Sequence, residues 1–171
     1  MKISKSIKGK AKIDYELIYG VVDIDTQYFI NKINEGIKQN NNENFKTNVR
    51  GYMTSWDYFL KDDNFLKAVF PLFDHLDELK LKDYHLNSAW GLKEGFSHHT
   101  VEHDHRPYYL SGIIYLNDHD QKLSFTEIKK EFKPKLNSFI VFSSFLKHKT
   151  PRNVSPVDKY AISFNIDYGT I

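Results

Sequence analysis

The sequence predicts a mainly β fold with helices in its first half, and three observations lead there. Short runs rich in β-branched and aromatic residues follow one another after residue 85, at about 86–92, 109–116, 123–128, 138–143 and 159–167. No helical period separates them; turn-like segments do, among them Asn117-Asp118-His119-Asp120 and Pro151-Arg152-Asn153-Val154-Ser155-Pro156. Apolar residues at helical spacing lie instead in the first half of the chain. Strands in such a series form a sandwich, a barrel or a jelly-roll rather than a βαβ sheet.

The first ten residues, MKISKSIKGK, are basic and lack the apolar stretch of a signal peptide, and they read as a frayed or adherent terminus. Residues 12–24 (KIDYELIYGVVDI) mix β-branched and aromatic side chains and read as one or two short strands. Over 26–39, Phe29, Ile30, Ile33 and Ile37 make a helical stripe with Asp25 or Thr26 as N-cap. Asn40-Asn41-Asn42-Glu43-Asn44 then reads as a polar loop. A second helix is predicted over about 62–80, striped by Phe65, Leu66, Val69, Phe73, Leu76 and Leu79, with Asp62 and Asp63 at the positive end of its dipole. Pro71 lies inside it and predicts a kink or a break into two helices.

A chain of 171 residues fits one domain, 1–171, in which 1–85 supports a core at 86–171 that carries the chemistry. With 40% hydrophobic and 15% aromatic residues, it can bury a core, which argues against disorder. The absence of cysteine excludes disulfides, thiolate metal sites and a cysteine nucleophile. Twenty-four basic against 22 acidic side chains leave no electrostatic case for a nucleic-acid footprint. No apolar run reaches the roughly 18 residues that span a bilayer, so a soluble cytoplasmic protein is the default reading. Richness in Lys, Asn, Ile, Phe and Tyr fits an AT-rich genome such as a viral one.

The segment His98-His99-Thr100-Val101-Glu102-His103-Asp104-His105 is the densest cluster of potential ligands. In an extended strand residues i and i+2 face the same way, so His103 and His105 can address one metal while Asp104 faces away. Imidazole suits iron, zinc, copper and nickel alike. The bland reading of the same residues is a solvated strand end. Downstream, His148 ends the strand region begun at Ser138, and a further strand runs from Lys159 to Ile166. Alternation puts Lys159, Ala161, Ser163 and Asn165 on one face and Tyr160, Ile162, Phe164 and Ile166 on the other. A lysine on the polar face is a candidate inward anion binder, or else an edge lysine that suppresses aggregation. His75 and His85 read as surface or packed residues and His119 as a turn residue. His98 and His99 read as loop residues, with substrate contact as their functional alternative.

Trp90, Gly95, His103-x-His105, Leu110-Ser111-Gly112-Ile113-Ile114-Tyr115-Leu116, Phe142-Ser143-Ser144-Phe145-Leu146-x-His148, Arg152-Asn153 and Lys159-Tyr160-Ala161-Ile162-Ser163-Phe164-Asn165 follow one another in order. This ordered set resembles the 2-oxoglutarate- and Fe(II)-dependent dioxygenase superfamily, in particular its small bacterial and phage members, over about residues 85–167. The resemblance implies a double-stranded β-helix, the cupin-like jelly-roll, with Fe(II) and 2-oxoglutarate as cofactor and cosubstrate. It implies that His103 is the proximal ligand and His148 the distal one, that Lys159 pairs with the far carboxylate of 2-oxoglutarate, and that Tyr115 assists. No catalytic residue beyond the metal ligands is implied, and hydroxylation of a peptide or metabolite is the expected outcome.

Two departures stand out. The common triad is His-x-Asp/Glu…His, whereas this chain has His103-x-His105, so either His105 replaces the carboxylate or Asp104 or Glu102 supplies it. The family often has Arg-x-Ser where Lys159-Tyr160-Ala161 stands, which leaves Ser163 to supply the hydroxyl from the same face. The competing readings are a three-histidine cupin-like metal enzyme that does not use 2-oxoglutarate, and a non-catalytic viral or structural protein on a decayed oxygenase fold. For a viral protein the expected location is the host cytoplasm.

Overall fold

Alternation of apolar side chains along the strands gives the larger of two sheets two buried faces, and this arrangement places the histidines. The computed structural model describes residues 1–10, 14–40, 47–78 and 83–169. In chain order these form β1 (Lys2–Lys10), β2 (Asp14–Val21), α1 (Thr26–Gln39), β3 (Val49–Arg50), β4 (Tyr52–Met53), α2 (Asp63–Glu78) and β5 (Tyr84–Glu94). There follow β6 (His99–His103), β7 (Leu110–Tyr115), β8 (Leu123–Phe125), β9 (Lys130–Phe132), β10 (Ser138–Ser143), β11 (His148–Thr150) and β12 (Lys159–Tyr168). Seven strands pair in the order β1-β2-β10-β7-β12-β5-β4, and five in the order β3-β6-β11-β8-β9. Every pairing is antiparallel. This is the jelly-roll expected of the sequence.

Along β12, Ile162, Phe164 and Ile166 pack with Phe29, Ile33, Phe65, Val69 and Leu72 of the two helices. Ala161, on the other face, packs with Trp90, Leu92, Ile113, Ile140 and Phe142, toward Val49, Leu123 and Phe125 of the smaller sheet. The face assignment along 159–166 thus agrees with strand alternation. Close approach requires small residues at two places. A Cβ on Gly91 would stand 2.4 Å from Ile33 of α1, and one on Gly112 would stand 2.1 Å from the Phe164 ring.

Helix α1 has the predicted bounds, and Asp25 caps it by accepting the Tyr28 N–H at 3.1 Å. Asp62 lies just before α2 and accepts the Phe65 N–H at 3.0 Å, while its second oxygen accepts the Tyr28 hydroxyl at 2.7 Å. One carboxylate therefore caps one helix and ties it to the other. Three readings are narrowed or corrected. The N-terminus is not frayed: Lys2–Lys10 pairs along β2 as the outer strand of the larger sheet. Pro71 does not divide its helix, because the buried stripe of Phe65, Ala68, Val69, Leu72 and Leu76 holds one continuous run despite the missing N–H. The extended strand read through His103 and His105 also stops short, for β6 ends at His103 and β7 begins at Leu110 in the other sheet. Leu79 and residues 41–44 lie outside the described residues.

Candidate metal centre

Strand pairing brings the first two histidines together. His148, the first residue of β11, stands directly opposite His103, the last residue of β6. The next pair along is Thr150 with Thr100, so β6 carries one extra residue between the pairs. That bulge lets Thr100 and His103, three residues apart, both line one cavity between the sheets. Beyond β6 the chain bends, held by a hydrogen bond from His105 N–H to the Ser144 carbonyl at 2.8 Å. The bend returns His105 to the same point.

The Nε2 atom of His105 lies 3.1 Å from that of His103 and 3.3 Å from that of His148. The ligand atoms of the three rings all fall within 4.8 Å of one another. His103 Nδ1 donates to the Val101 carbonyl at 2.8 Å and His148 Nδ1 to the Leu146 carbonyl at 2.9 Å. A carbonyl can only accept, so each Nδ1 carries the hydrogen and each Nε2 presents a lone pair. The single N–H that His105 Nε2 could offer cannot serve both. Three ring nitrogens therefore converge with too few hydrogens to link them to one another. Two nitrogens on ~2.1 Å bonds at right angles lie about 3.0 Å apart, close to the spacing seen here, so the donor set fits a divalent metal.

Electrostatics keep these rings neutral. Burial, and then the neighbouring His103, push the His105 pKa down to about 4. Burial, then His103 and His105, push His148 down to about 3, and burial lowers His103 as well. Neutral imidazole is the form that binds a metal. Trp90 lies nearly parallel to His105 at 6.1 Å, and Phe142 meets His148 edge-on at 4.8 Å. These rings wall the histidines from water on the core side.

The acids beside the histidines are engaged elsewhere. Asp104 holds Arg106 through hydrogen bonds of 2.7 and 3.1 Å, and Glu102 faces Lys149 at 3.8 Å. The third ring at the centre is His105.

Lys159 and Ser163 both line the cavity with the three histidines, which has a volume of about 50 Å³. Tyr115 is buried close by among the inner apolar residues without lining it, and burial followed by the charge of Glu94 raises its hydroxyl pKa. Lys159 is 1% exposed and ion-paired with Glu94, its cross-strand partner on β5 and equally buried. The Glu94 Oε1 atom accepts hydrogen bonds from Thr100 at 3.1 Å and Thr150 at 3.3 Å. Sequence reading missed this carboxylate. Strand alternation through Trp90 and Leu92 would have found it had the strand been extended past residue 92.

On the other side of the histidines, His103 and His105 also border a wider cleft of about 430 Å³ whose walls include Trp56, Asp57, Asn87 and Arg106. Two further histidines, His119 and His98, brace the loops near the cavity. His119 Nε2 donates to the Val157 carbonyl at 3.0 Å while its Nδ1 accepts the Gln121 N–H at 3.0 Å. His98 accepts the Gly95 N–H at 3.0 Å and packs edge-on against Tyr52.

No family model matches the chain, and no curated protein matches it in sequence. Its fold is nevertheless shared with solved structures. A viral collagen prolyl hydroxylase from Paramecium bursaria Chlorella virus-1, in complex with 2-oxoglutarate, superposes with a TM-score of 0.67 at 15% identity, covering 86% of this chain and 94% of its own. A Pseudomonas putida prolyl-4-hydroxylase gives 0.64 at 13% identity, covering 90% and 93%. HygX from Streptomyces hygroscopicus, with nickel, 2-oxoglutarate and hygromycin B bound, gives 0.62 at 10% identity, covering 91% and 84%. The chain has the jelly-roll fold of the 2-oxoglutarate/Fe(II) oxygenases.

Proposed function

We propose that this chain is a 2-oxoglutarate- and Fe(II)-dependent oxygenase that hydroxylates a peptide residue or small metabolite. His103, His105 and His148 are the metal ligands in this reading. The observation that carries it is the meeting of three Nε2 atoms at one point, two with their Nδ1 hydrogens tied to backbone carbonyls, on a fold shared with such oxygenases. Fe(II) held by these three histidines would supply the oxidising chemistry, coupling the conversion of 2-oxoglutarate and dioxygen to succinate and carbon dioxide with insertion of one oxygen atom into a substrate C–H bond.

The chain's own residues hold and shelter. The Val101 and Leu146 carbonyls fix two imidazoles in the metal-binding tautomer. Trp90 and Phe142 keep water from the inner side. The Lys159 ammonium and the Thr100 and Thr150 hydroxyls form a carboxylate cradle, and its suitability for that group is visible in its holding the Glu94 carboxylate. Ser163 adds a hydroxyl to the cavity wall, and Tyr115 packs in the apolar cluster around it. The substrate would enter by the cleft bordered by Trp56, Asp57 and Arg106.

The pairing of Lys159 with Glu94 favours a second reading, a three-histidine metal enzyme on the same fold that takes no 2-oxoglutarate. Succinate release separates the two. Purified protein given Fe(II), ascorbate and 2-oxoglutarate in air should form succinate above the no-protein control. No succinate from iron-loaded protein, with candidate peptides and metabolites added, would leave the second reading standing.

A further inference from the structure

The Lys159–Glu94 pair bridges the two sheets' shared interior. Both residues lie on the larger sheet, and the two threonines that complete the cradle come from β6 and β11 of the smaller one. One Glu94 oxygen meets the ammonium and the other takes two hydroxyl hydrogens, so the carboxylate is fully satisfied. A carboxylate arriving from outside would find the same donors already in use.

The charge pattern of the cavity points the same way. The three groups at the metal point are imidazoles, which bring no negative charge to a divalent ion, whereas the Lys159 cation is cancelled by Glu94. A metal ion held there would draw an anion strongly, and the neutralised lysine end would draw one weakly. At about 50 Å³ the cavity is small, so a guest longer than it would reach toward the wider cleft that His103 and His105 also border.

We propose that Glu94 is an internal competitor for the cosubstrate's distal carboxylate, and that it sets which 2-oxoacid the site accepts and how tightly. The proposal rests on the 2-oxoglutarate reading above. A dicarboxylate must displace Glu94 from Lys159 or lie beside it, and either cost lowers its apparent affinity by the fraction of molecules in which the lysine is free. A 2-oxoacid with an uncharged tail escapes that penalty, because all its charge sits at the metal.

Calorimetric titration of the Ni(II)-loaded protein tests this without turnover, using 2-oxoglutarate and 2-oxopentanoate, which lacks the second carboxylate. In the wild type, 2-oxoglutarate should bind within about threefold of 2-oxopentanoate, because the anion seat is taken. Glu94→Gln should tighten 2-oxoglutarate at least about tenfold and leave 2-oxopentanoate within about twofold. A wild-type preference for 2-oxoglutarate of about a hundredfold would overturn the proposal, since the anchor would then be free. That comparison needs no variant, so it decides even where Glu94→Gln does not fold. Equal 2-oxoglutarate affinity in the two proteins would overturn the proposal alone and leave the cosubstrate reading intact. Binding of neither acid by nickel-loaded wild type would overturn both.

Discussion

His148 stands directly across the β11–β6 ladder from His103, and each uses its inner ring nitrogen to hold a carbonyl of its own strand region, Leu146 and Val101. The pairing register and the tautomers are thus set together, before any metal arrives. Removing one ring should therefore damage metal binding without unmaking the ladder, whose bonds are backbone bonds. His148→Ala should lose at least about a hundredfold in divalent-metal affinity, more than the ~10–100-fold typical when only a supporting partner is lost. Metal content measured after dialysis, alongside far-ultraviolet circular dichroism, checks this. Normal metal retention in a folded variant would remove His148 from the centre.

Lys159 is the second test. In Lys159→Ala the Glu94 carboxylate is left buried without its cation, which should cost about 3–5 kcal/mol of stability. If the protein remains folded, the Glu94 carboxylate, stripped of its cation, repels the cosubstrate's distal carboxylate, and the 2-oxoglutarate concentration for half-maximal succinate formation should rise about tenfold or more while the bound metal is kept. Urea unfolding and a cosubstrate titration read the two effects separately. Unchanged cosubstrate dependence would take Lys159 out of the site.

What was legible in the sequence was whatever depends on local period. The α1 stripe, its Asp25 cap and the two faces of 159–166 follow from spacings of 3.6 and 2, and the structure agrees on each. The meeting of His103 with Thr100 was not legible, because a bulge shifts the strand by one residue and alternation alone would put them on opposite faces. Nor was the route by which His105 reaches the centre: a bend pinned by the Ser144 carbonyl brings it there, rather than a continuing strand. β1 was missed because its Lys and Ser residues suit an edge strand, which carries little apolar signal of its own. Glu94 was missed because the strand was ended at residue 92, before Lys93-Glu94-Gly95, whereas β5 runs on to Glu94 and pairs it with Lys159.

The depressed histidine pKa values fix a pH dependence of the metal-free protein. The unfolded chain takes up protons near pH 6.5, while His105 in the fold resists until about pH 4 and His148 until about pH 3. Between those limits the unfolded state binds more protons, so stability is full above about pH 6.5 and drains as pH falls. His105 alone accounts for on the order of 3 kcal/mol across that window, with its folded pKa at about 4. Denaturant midpoints taken from pH 7.5 down to 4.5 in the presence of a chelator should fall steadily. His105→Gln should flatten the slope, and an unchanged slope would mean the ring is not buried neutral.

Asp62 offers a test of how the helical layer is held. Asp62→Ala removes both the N-cap of α2 and the acceptor for the Tyr28 hydroxyl, and should cost about 2 kcal/mol, roughly one for each loss. Asp62→Asn keeps a capping oxygen and should recover about half of that. Equal costs for the two variants, measured by urea denaturation, would show that charge rather than capping geometry matters at this position.

The close approach of α1 to the larger sheet is the last element open to test. An alanine Cβ at Gly91 would sit 2.4 Å from the Ile33 Cγ1 atom, far inside contact distance, and Ile33 is itself fully buried. Gly91→Ala should therefore destabilise by about 1–3 kcal/mol through overpacking, even though alanine suits a strand better than glycine. Ile33→Ala alone should cost about 2–5 kcal/mol by leaving a cavity. In the double variant the new methyl partly fills the space the isoleucine vacates, so the combined cost should fall short of the sum by about 1 kcal/mol or more. Strict additivity across this cycle would mean that the helix moves away from β5 instead of clashing with it, and that its distance from the sheet is not set by these two side chains.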